Sequence, residues 1–305
     1  MKKTISLDSC AKSQFNSNGI NNILRLLLLF FMFIFIPYAA ESAVFESQGL
    51  GARAAGMGGS FVAVAEDYSS IFWNPSGIAL VNEKTLHSEY KNLYGLGLLR
   101  YITAGYLQPQ VGKGTVAFSW YRLDTIGEAS FLDYSENTLV FSYATHYFKP
   151  LYLGLNGKYY RVHSSIGASG MGLDLGLTYV LKEPWLVLGA GVQDINRTVI
   201  TWDSGVKERL PIQVRAGASS RIFPDTLLGA QVEWQDQTRQ THRLGIEQGF
   251  FNRVMRIRLG GVEREQELRF TWGLGLKYKS LLLDFGWERE KKLGDTFSYS
   301  LTLKL

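Results

Sequence analysis

The sequence has 305 residues, with 32 lysine and arginine residues against 27 aspartate and glutamate residues and a formal net charge of +5. This excess is small and mixed with acidic residues, so it predicts no nucleic-acid partner. Cys10 is the only cysteine. It lies in a segment predicted to be removed, which excludes disulfides and thiolate metal sites from the mature chain.

Residues 1–42 carry the features of an export signal. Residues 26–36 form an unbroken apolar run that follows Arg25 and precedes Pro37. A run of about 11 residues suits a signal-peptide core and is too short for a spanning helix. Cleavage after Ser42 removes four of the 32 basic and two of the 27 acidic residues, leaving a net charge of about +3.

Residues 43–83 differ in character from the rest of the chain. Glycines cluster here, residues 67–72 predict a short helix, and residues 74–77 predict a turn. A phosphate-binding loop is disfavoured because the glycine spacing is wrong and no Gly-Lys-Ser/Thr follows. A mobile tail is the other alternative. Because the stretch has few charges and many small apolar residues, we expect it to pack against another part of the protein. The clustered glycines are Gly49, Gly51, Gly56, Gly58 and Gly59.

Residues 84–305 contain fourteen segments of alternating polarity, joined by connections that alternate between short and long. Four of the seven prolines fall in the short turns, where the missing N–H disturbs no ladder. This rhythm is typical of a membrane β-barrel, which has tight turns at one rim and loops at the other. The predicted turns are 109–113, 149–150, 182–184, 223–225, 251–253 and 279–280. The predicted loops are 94–96, 124–135, 164–167, 194–208, 236–240, 263–267 and 288–295.

The segments themselves have a period of two. In the last one, Phe297, Tyr299 and Leu301 alternate with Ser298 and Ser300, and segments around residues 173, 214 and 270 follow the same rule. Lengths of about 9–13 residues suit tilted strands that cross a bilayer. The sequence therefore predicts an all-β protein: a transmembrane antiparallel β-barrel of about 14 strands in the outer membrane of a Gram-negative-type bacterium, with outer-membrane lipid against its apolar face.

A motif in the N-terminal stretch resembles a known family. Gly-Ala-Arg-Ala-x-Gly-Met-Gly-Gly-x-Phe-Val-Ala-Val-Ala-x-Asp from Gly51, followed by Trp-Asn-Pro-x-Gly-Ile-Ala from Trp73, is similar to the start of FadL-type outer-membrane proteins. The closer match is to their PorV/PorQ branch. The resemblance implies a fourteen-stranded barrel (84–305) whose lumen holds residues 43–83 as a hatch. The hatch positions that it implies are Gly56, Met57, Gly58, Gly59, Phe61, Trp73, Asn74, Pro75 and Gly77.

Charges of both signs occupy predicted inward positions of the C-terminal half. A salt-bridge network between wall and hatch is one interpretation. The other is a basic face that recognises an anionic head group or an acidic hatch residue such as Glu66 or Asp67. These lumen positions are Arg215, Glu233, Arg243, Glu247, Arg256, Arg258, Arg269 and Lys277, with Asp284 and Lys304 beside them.

Catalysis is not predicted. The four histidines show no metal spacing, and His87, Ser88 and Glu89 are adjacent on a strand, so neighbours point to opposite faces. No cofactor is expected. The resemblance implies transport of a hydrophobic or amphipathic small molecule. The alternative that it implies is a secretion-associated, type IX-like barrel that docks secreted proteins or machinery. The outer loops are short, which counts against the uptake of a ligand captured by those loops. A general diffusion pore is a third hypothesis.

Overall fold

The computed structural model describes residues 44–305 except 46–47, 65, 149, 183–185, 236–238 and 292. The predicted signal peptide at residues 1–42 lies outside the described residues. Among those described, no helix is long and apolar enough to cross a membrane.

Fourteen antiparallel strands form a closed barrel, and the first strand pairs with the last from Thr85–Lys304 to Asn92–Phe297. The predicted fold class is confirmed. The barrel strands are β1 (Thr85–Leu93), β2 (Leu99–Val111), β3 (Gly114–Thr125), β4 (Ser135–Phe148), β5 (Leu151–His163), β6 (Ala168–Lys182), β7 (Leu186–Gln193), β10 (Gln213–Phe223), β11 (Thr226–Gln235), β12 (Arg239–Phe250), β13 (Met255–Arg264), β14 (Glu267–Tyr278), β15 (Leu281–Glu290) and β16 (Gly294–Lys304).

Two predicted loops contain regular structure that the sequence analysis missed. Between β7 and β10 lies a hairpin of β8 (Val199–Trp202) and β9 (Lys207–Arg209), and β8 pairs with the start of β6. A 3₁₀ helix, Gly127–Leu132, occupies the connection between β3 and β4. Strands of three or four residues are too short to show a readable alternation, which is why these segments were predicted as plain loops.

The predicted turn at 109–113 is wrong at its beginning. Strand β2 continues to Val111, and its register against β3 shifts between Gln108 and Val111. The shift is a bulge, and a bulge leaves residues outside the regular ladder, so Pro109 is tolerated there without an N–H. The turn itself comprises only Gly112 and Lys113.

Outward positions of the barrel are apolar and exposed, as the alternation predicts. Phe270, Tyr299 and Leu301 are at least 44% exposed, whereas the inward Ser298 and Ser300 are buried. Val214 of β10 is an exception. It alternates with the inward Arg215 and so occupies an outward position, yet it is only 6% exposed. Its register partners are Val192, which is also buried, and Trp234. An exposed apolar face of this extent is expected of a surface in contact with lipid.

The N-terminal segment, residues 48–81, packs against inward-facing residues of the barrel wall. It contains α1 (Ala52–Gly56), α2 (Ser70–Trp73) and a 3₁₀ helix, Pro75–Leu80. The predicted helix at 67–72 begins later, at Ser70, and in the turn before it the Asp67 carboxylate accepts hydrogen bonds from the Ser69 backbone and side chain. The predicted turn at 74–77 continues instead into the 3₁₀ helix, with the Asn74 side chain as its cap.

Candidate functional site

Glycines on the inner face of the wall form the seat of the N-terminal segment. A Cβ atom at Gly260 would overlap the backbone of Met57 and Gly58, and one at Gly189 would overlap the carbonyl of Val62. Only glycine permits such an approach of backbone to backbone. We call these residues the glycine seat. They are Gly154, Gly176, Gly189, Gly229, Gly245, Gly260, Gly273 and Gly286.

The first half of the predicted hatch motif lies against this seat. Gly56 is so close to the wall that a Cβ would lie 2.8 Å from the Gly273 Cα atom. Gly58 and Gly59 have φ values of +64° and +69°, which only glycine adopts without strain. Met57 and Phe61 are fully buried in one apolar cluster.

The second half of the motif is fixed by hydrogen bonds. The Trp73 indole N–H donates to the Leu50 carbonyl at 2.7 Å. The buried Asn74 amide donates to the carbonyls of Val62 (2.8 Å) and Leu177 (3.1 Å). Asn74 thus ties two parts of the segment to β6. Pro75 packs where wall residues Gly154 and Gly176 lack side chains, and the Gly77 N–H donates to the Asn74 carbonyl at 2.9 Å.

Replacing Asn74 by alanine should release this anchor. The substitution removes the donor to the buried Val62 carbonyl and to the part-buried Leu177 carbonyl, and we expect a loss of about 1–3 kcal/mol in the docking of the segment. Limited proteolysis of detergent-solubilised protein measures it, because a loosened segment is cleaved faster. A cleavage rate equal to that of the wild-type protein would show that Asn74 is not an anchor.

One group of predicted lumen charges surrounds Arg53 of helix α1. Glu247 on β12 accepts hydrogen bonds from Arg53 Nε and Nη2 at 2.8 and 2.9 Å and from Arg258 Nε at 2.7 Å. Arg258, which is fully buried, also pairs with Asp284 at 2.7 Å. The Arg53–Glu247–Arg258–Asp284 set therefore joins the segment to three wall strands.

Arg53 also pairs within its own segment, with Asp67 at 2.9 Å and Glu66 at 3.4 Å. Burial alone would lower the pKa of Arg53, but Glu247, Asp67 and Glu66 outweigh it and hold that pKa above the usual value. Burial likewise opposes ionisation of Asp67, yet Arg53 and Ser69 hold its pKa below the usual range. Both groups therefore remain charged at neutral pH. Glu66 pairs with Arg221 of β10 as well, at 2.5 Å.

A second group of predicted charges contacts the aromatic rings of the segment. The Glu233 carboxylate pairs with Arg215 at 2.6 Å and with Arg243 at 3.5 Å. The Arg215 guanidinium lies 4.9 Å from the Phe72 ring centroid and 5.1 Å from that of Trp73. Arg243 lies over Trp73 and donates to the Gly58 carbonyl at 3.1 Å.

The remaining predicted charges lie apart from the segment. Arg269 pairs with Glu290 at 3.1 Å, and Lys304 pairs with Glu83 at 2.6 Å. Lys277 is exposed near the short-turn rim. Arg256 is partly buried, and within the described ranges no carboxylate lies in ion-pair distance of it. The structure thus brings eight of the ten predicted charges into ion pairs: Arg215, Glu233, Arg243, Glu247, Arg258, Arg269, Asp284 and Lys304.

A third charged cluster was not predicted, because it lies outside the C-terminal half to which the predicted lumen charges belong. Lys158 on β5 pairs with Asp174 on β6 at 2.6 Å and with Asp194 at 2.9 Å. All three are buried or nearly so. Lys158 and Asp174 occupy inward positions in the alternation of their strands, so the sequence pattern contained a signal for these two residues. Asp194 follows the end of β7, where no alternation indicates which way a side chain points. They line a cavity of about 70 Å³ beside helix α2, toward the rim with the long loops.

The outer surface of the barrel wall has a depression beside this cavity. Gly157 of β5 faces outward with no atom within 4 Å of a Cβ built on it, between Phe141 and Leu173 of the neighbouring strands. An apolar groove forms there, and it shares Val140 and Lys158 with the lumen cavity. Nearby, β6 pairs with β7 only as far as Leu175–Val192. The cavity and the groove therefore meet at Val140 of β4 and Lys158 of β5.

Solved structures share this architecture. The toluene transporter TodX of Pseudomonas putida matches with a TM-score of 0.62 and 10% identity, over 86% of this chain and 98% of that one. A Pseudomonas aeruginosa FadL homologue matches with a TM-score of 0.61 and 12% identity, over 83% and 98%. The CymD monoaromatic hydrocarbon channel gives 0.62 and 13%, over 86% and 99%. The chain has the FadL-type barrel fold. No protein-family model and no curated protein matches it.

The similar structures of this FadL-type fold are transport channels and not enzymes. None of them supports the PorV/PorQ branch or the secretion-associated alternative. In this chain His87 is buried, and its Nδ1 lies 2.8 Å from the Thr302 hydroxyl, while Ser88 is exposed on the other face. The described residues contain no cluster of His, Cys, Asp and Glu that could hold a metal ion.

Proposed function

We propose that the protein is an outer-membrane channel that carries a hydrophobic or amphipathic small molecule across the outer membrane. The observation that carries this proposal is a closed barrel with an apolar exterior whose lumen holds the N-terminal segment on the glycine seat. A segment in that place blocks free diffusion, so passage requires a dedicated route. The segment acts in this proposal as the hatch.

The similar solved barrels support the choice of cargo. One is described as a toluene transporter and another as a monoaromatic hydrocarbon channel. In this chain the lumen is polar around its ion pairs, and contact with them is unfavourable for a purely apolar molecule. In this proposal the molecule leaves toward the lipid at the groove beside Gly157, which shares Val140 and Lys158 with the lumen cavity.

Uptake into proteoliposomes tests the proposal. The vesicles carry lipopolysaccharide in the outer leaflet, which slows passive entry of apolar molecules, and the probes are radiolabelled toluene and a labelled fatty acid. We expect the protein to accelerate uptake of at least one probe over protein-free vesicles, without accelerating uptake of glucose. Equal rates with and without protein for both probes would contradict the proposal.

A deletion of residues 51–80 is the matched comparison. In the deletion protein the bore is open, so we expect glucose to enter together with the apolar probe. If the deletion leaves glucose excluded, the N-terminal segment is not the hatch.

A further inference from the structure

The lumen cavity beside helix α2 has an aromatic wall. Phe72 of the helix and Tyr101, Tyr121 and Tyr160 of β2, β3 and β5 line it, together with Phe45. At about 70 Å³ it has room for several waters or for the polar head of a small organic molecule. The face of an aromatic ring attracts a cation that lies within about 6 Å of the ring centroid.

Three carboxylates and one lysine also line the cavity. Lys158 lies between Asp174 and Asp194, and Glu136 accepts hydrogen bonds from the Phe45 N–H at 2.8 Å and the Tyr134 hydroxyl at 2.7 Å. With both aspartates ionised, the Lys158–Asp174–Asp194 group carries one negative charge more than its lysine balances. This part of the lumen therefore differs in sign from the arginine-rich part at β10–β14.

Two polar atoms at the cavity have no hydrogen-bond partner among the described residues. One is the Asn156 Oδ1 atom, in a side chain that is 1% exposed, and the other is the Tyr121 hydroxyl. The Asn156 Nδ2 atom donates to the Ile71 carbonyl at 2.8 Å and to Asp174 Oδ2 at 2.9 Å. If the amide were flipped, its oxygen would face the two acceptors, which would be unfavourable, so this orientation is fixed. The Oδ1 atom is therefore a buried acceptor that receives no hydrogen bond from the described residues.

We propose that this cavity binds the protonated amino group of a small organic amine, such as an arylalkylamine. The ammonium N–H groups donate to Asn156 Oδ1 and the Tyr121 hydroxyl, the negative Lys158–Asp174–Asp194 group balances the charge, and the aromatic rings cover the carbon part. A carboxylate ligand meets repulsion from Asp174 and Asp194. The inference rests on the proposed function in that it names a cargo class for the same lumen.

Calorimetric binding to the full protein in a non-ionic detergent at pH 7 tests the inference with four probes that share a benzyl or phenyl ring. Benzylamine should bind, whereas benzyl alcohol and benzoate should bind at least about tenfold more weakly, because they lack the cation. Benzyltrimethylammonium keeps the charge but has no N–H, so it should also lose at least about tenfold. Equal binding of benzylamine and benzyl alcohol overturns the proposal, as does the absence of benzylamine binding.

Variants place the bound probe. Asp194→Asn should weaken benzylamine binding about tenfold, whereas Asp225→Asn, the same change at the far rim beside Arg253, should not alter it. If Asp194→Asn does not fold, Tyr121→Phe serves as the second variant. It removes only the Tyr121 hydroxyl, which has no hydrogen-bond partner among the described residues, and it keeps the ring. We again expect benzylamine to bind about tenfold more weakly. Unchanged affinity in Tyr121→Phe and in a folded Asp194→Asn variant overturns the site.

This binding measurement and the vesicle uptake are independent. Benzylamine that binds while no probe is taken up leaves the site intact and contradicts the transport proposal. Uptake of toluene without any binding of benzylamine contradicts the site and leaves the transport proposal intact.

Discussion

Replacement of Gly260 by valine should unseat the N-terminal segment and open the barrel to small ions. Gly260 faces inward from β13, and a Cβ there would overlap the backbone of Met57 and Gly58. A backbone cannot move aside as a flexible side chain does, so the segment must shift. We expect a loss of about 3 kcal/mol in its seating, the upper end of the usual range for overpacking. In planar bilayers the variant should show larger conductance steps than the wild-type protein.

The neighbouring Gly261 supplies the control. It faces outward, opposite Phe270 of β14, and no atom lies within 4 Å of a Cβ built on it. Gly261→Val makes the same chemical change one residue along the same strand, and valine favours a strand at both positions. Conductance should therefore stay at the wild-type level. If the two variants conduct alike, contact between the wall and the segment does not close the bore.

Neutralising Glu247 should have the second large effect. Its carboxylate accepts three hydrogen bonds from Arg53 and Arg258, and both arginines are largely or fully buried. Glu247→Gln keeps the shape but removes the charge and turns N–H donors toward guanidinium groups. Breaking a buried ion pair costs about 3–5 kcal/mol, because a charge is left without a partner. The variant should unfold at lower urea concentration, as followed by the heat-dependent gel shift of the folded barrel, and its N-terminal segment should be cleaved faster.

Glu265→Gln is the matched control for this change. Glu265 pairs with Arg239 at 3.9 Å, and the two side chains are 66% and 57% exposed. Exposed pairs contribute less than about 1 kcal/mol, so the unfolding midpoint should hardly move. An equal response of the two variants would mean that the Arg53–Glu247–Arg258–Asp284 set does not hold the segment.

Part of the candidate site could be predicted from the sequence. Inward parity pointed to Arg215, Glu233, Arg243, Glu247 and Arg258, because each strand presents alternate residues to one face. The partners that they contact were not legible, since Arg53 and Glu247 are separated by 194 residues and meet only when the segment enters the barrel. The glycine seat could not be predicted for the same reason. An inward glycine in a strand does not by itself indicate which other part of the backbone packs against it.

The acidic cavity shows the limit most clearly. Asp194 lies just beyond the end of β7, and its partner Lys158 lies two strands earlier, so no local pattern joins them.

The sequence by itself determined the strand count, the alternation of short turns and longer loops and the faces of most strands. Each of these follows from the chemistry of residues two positions apart or from a single turn. Only the tertiary structure decided which glycines admit the N-terminal segment, where the β8–β9 hairpin adds to β6, and which charges pair. Those contacts join residues distant in the chain, and closing the barrel brings them together.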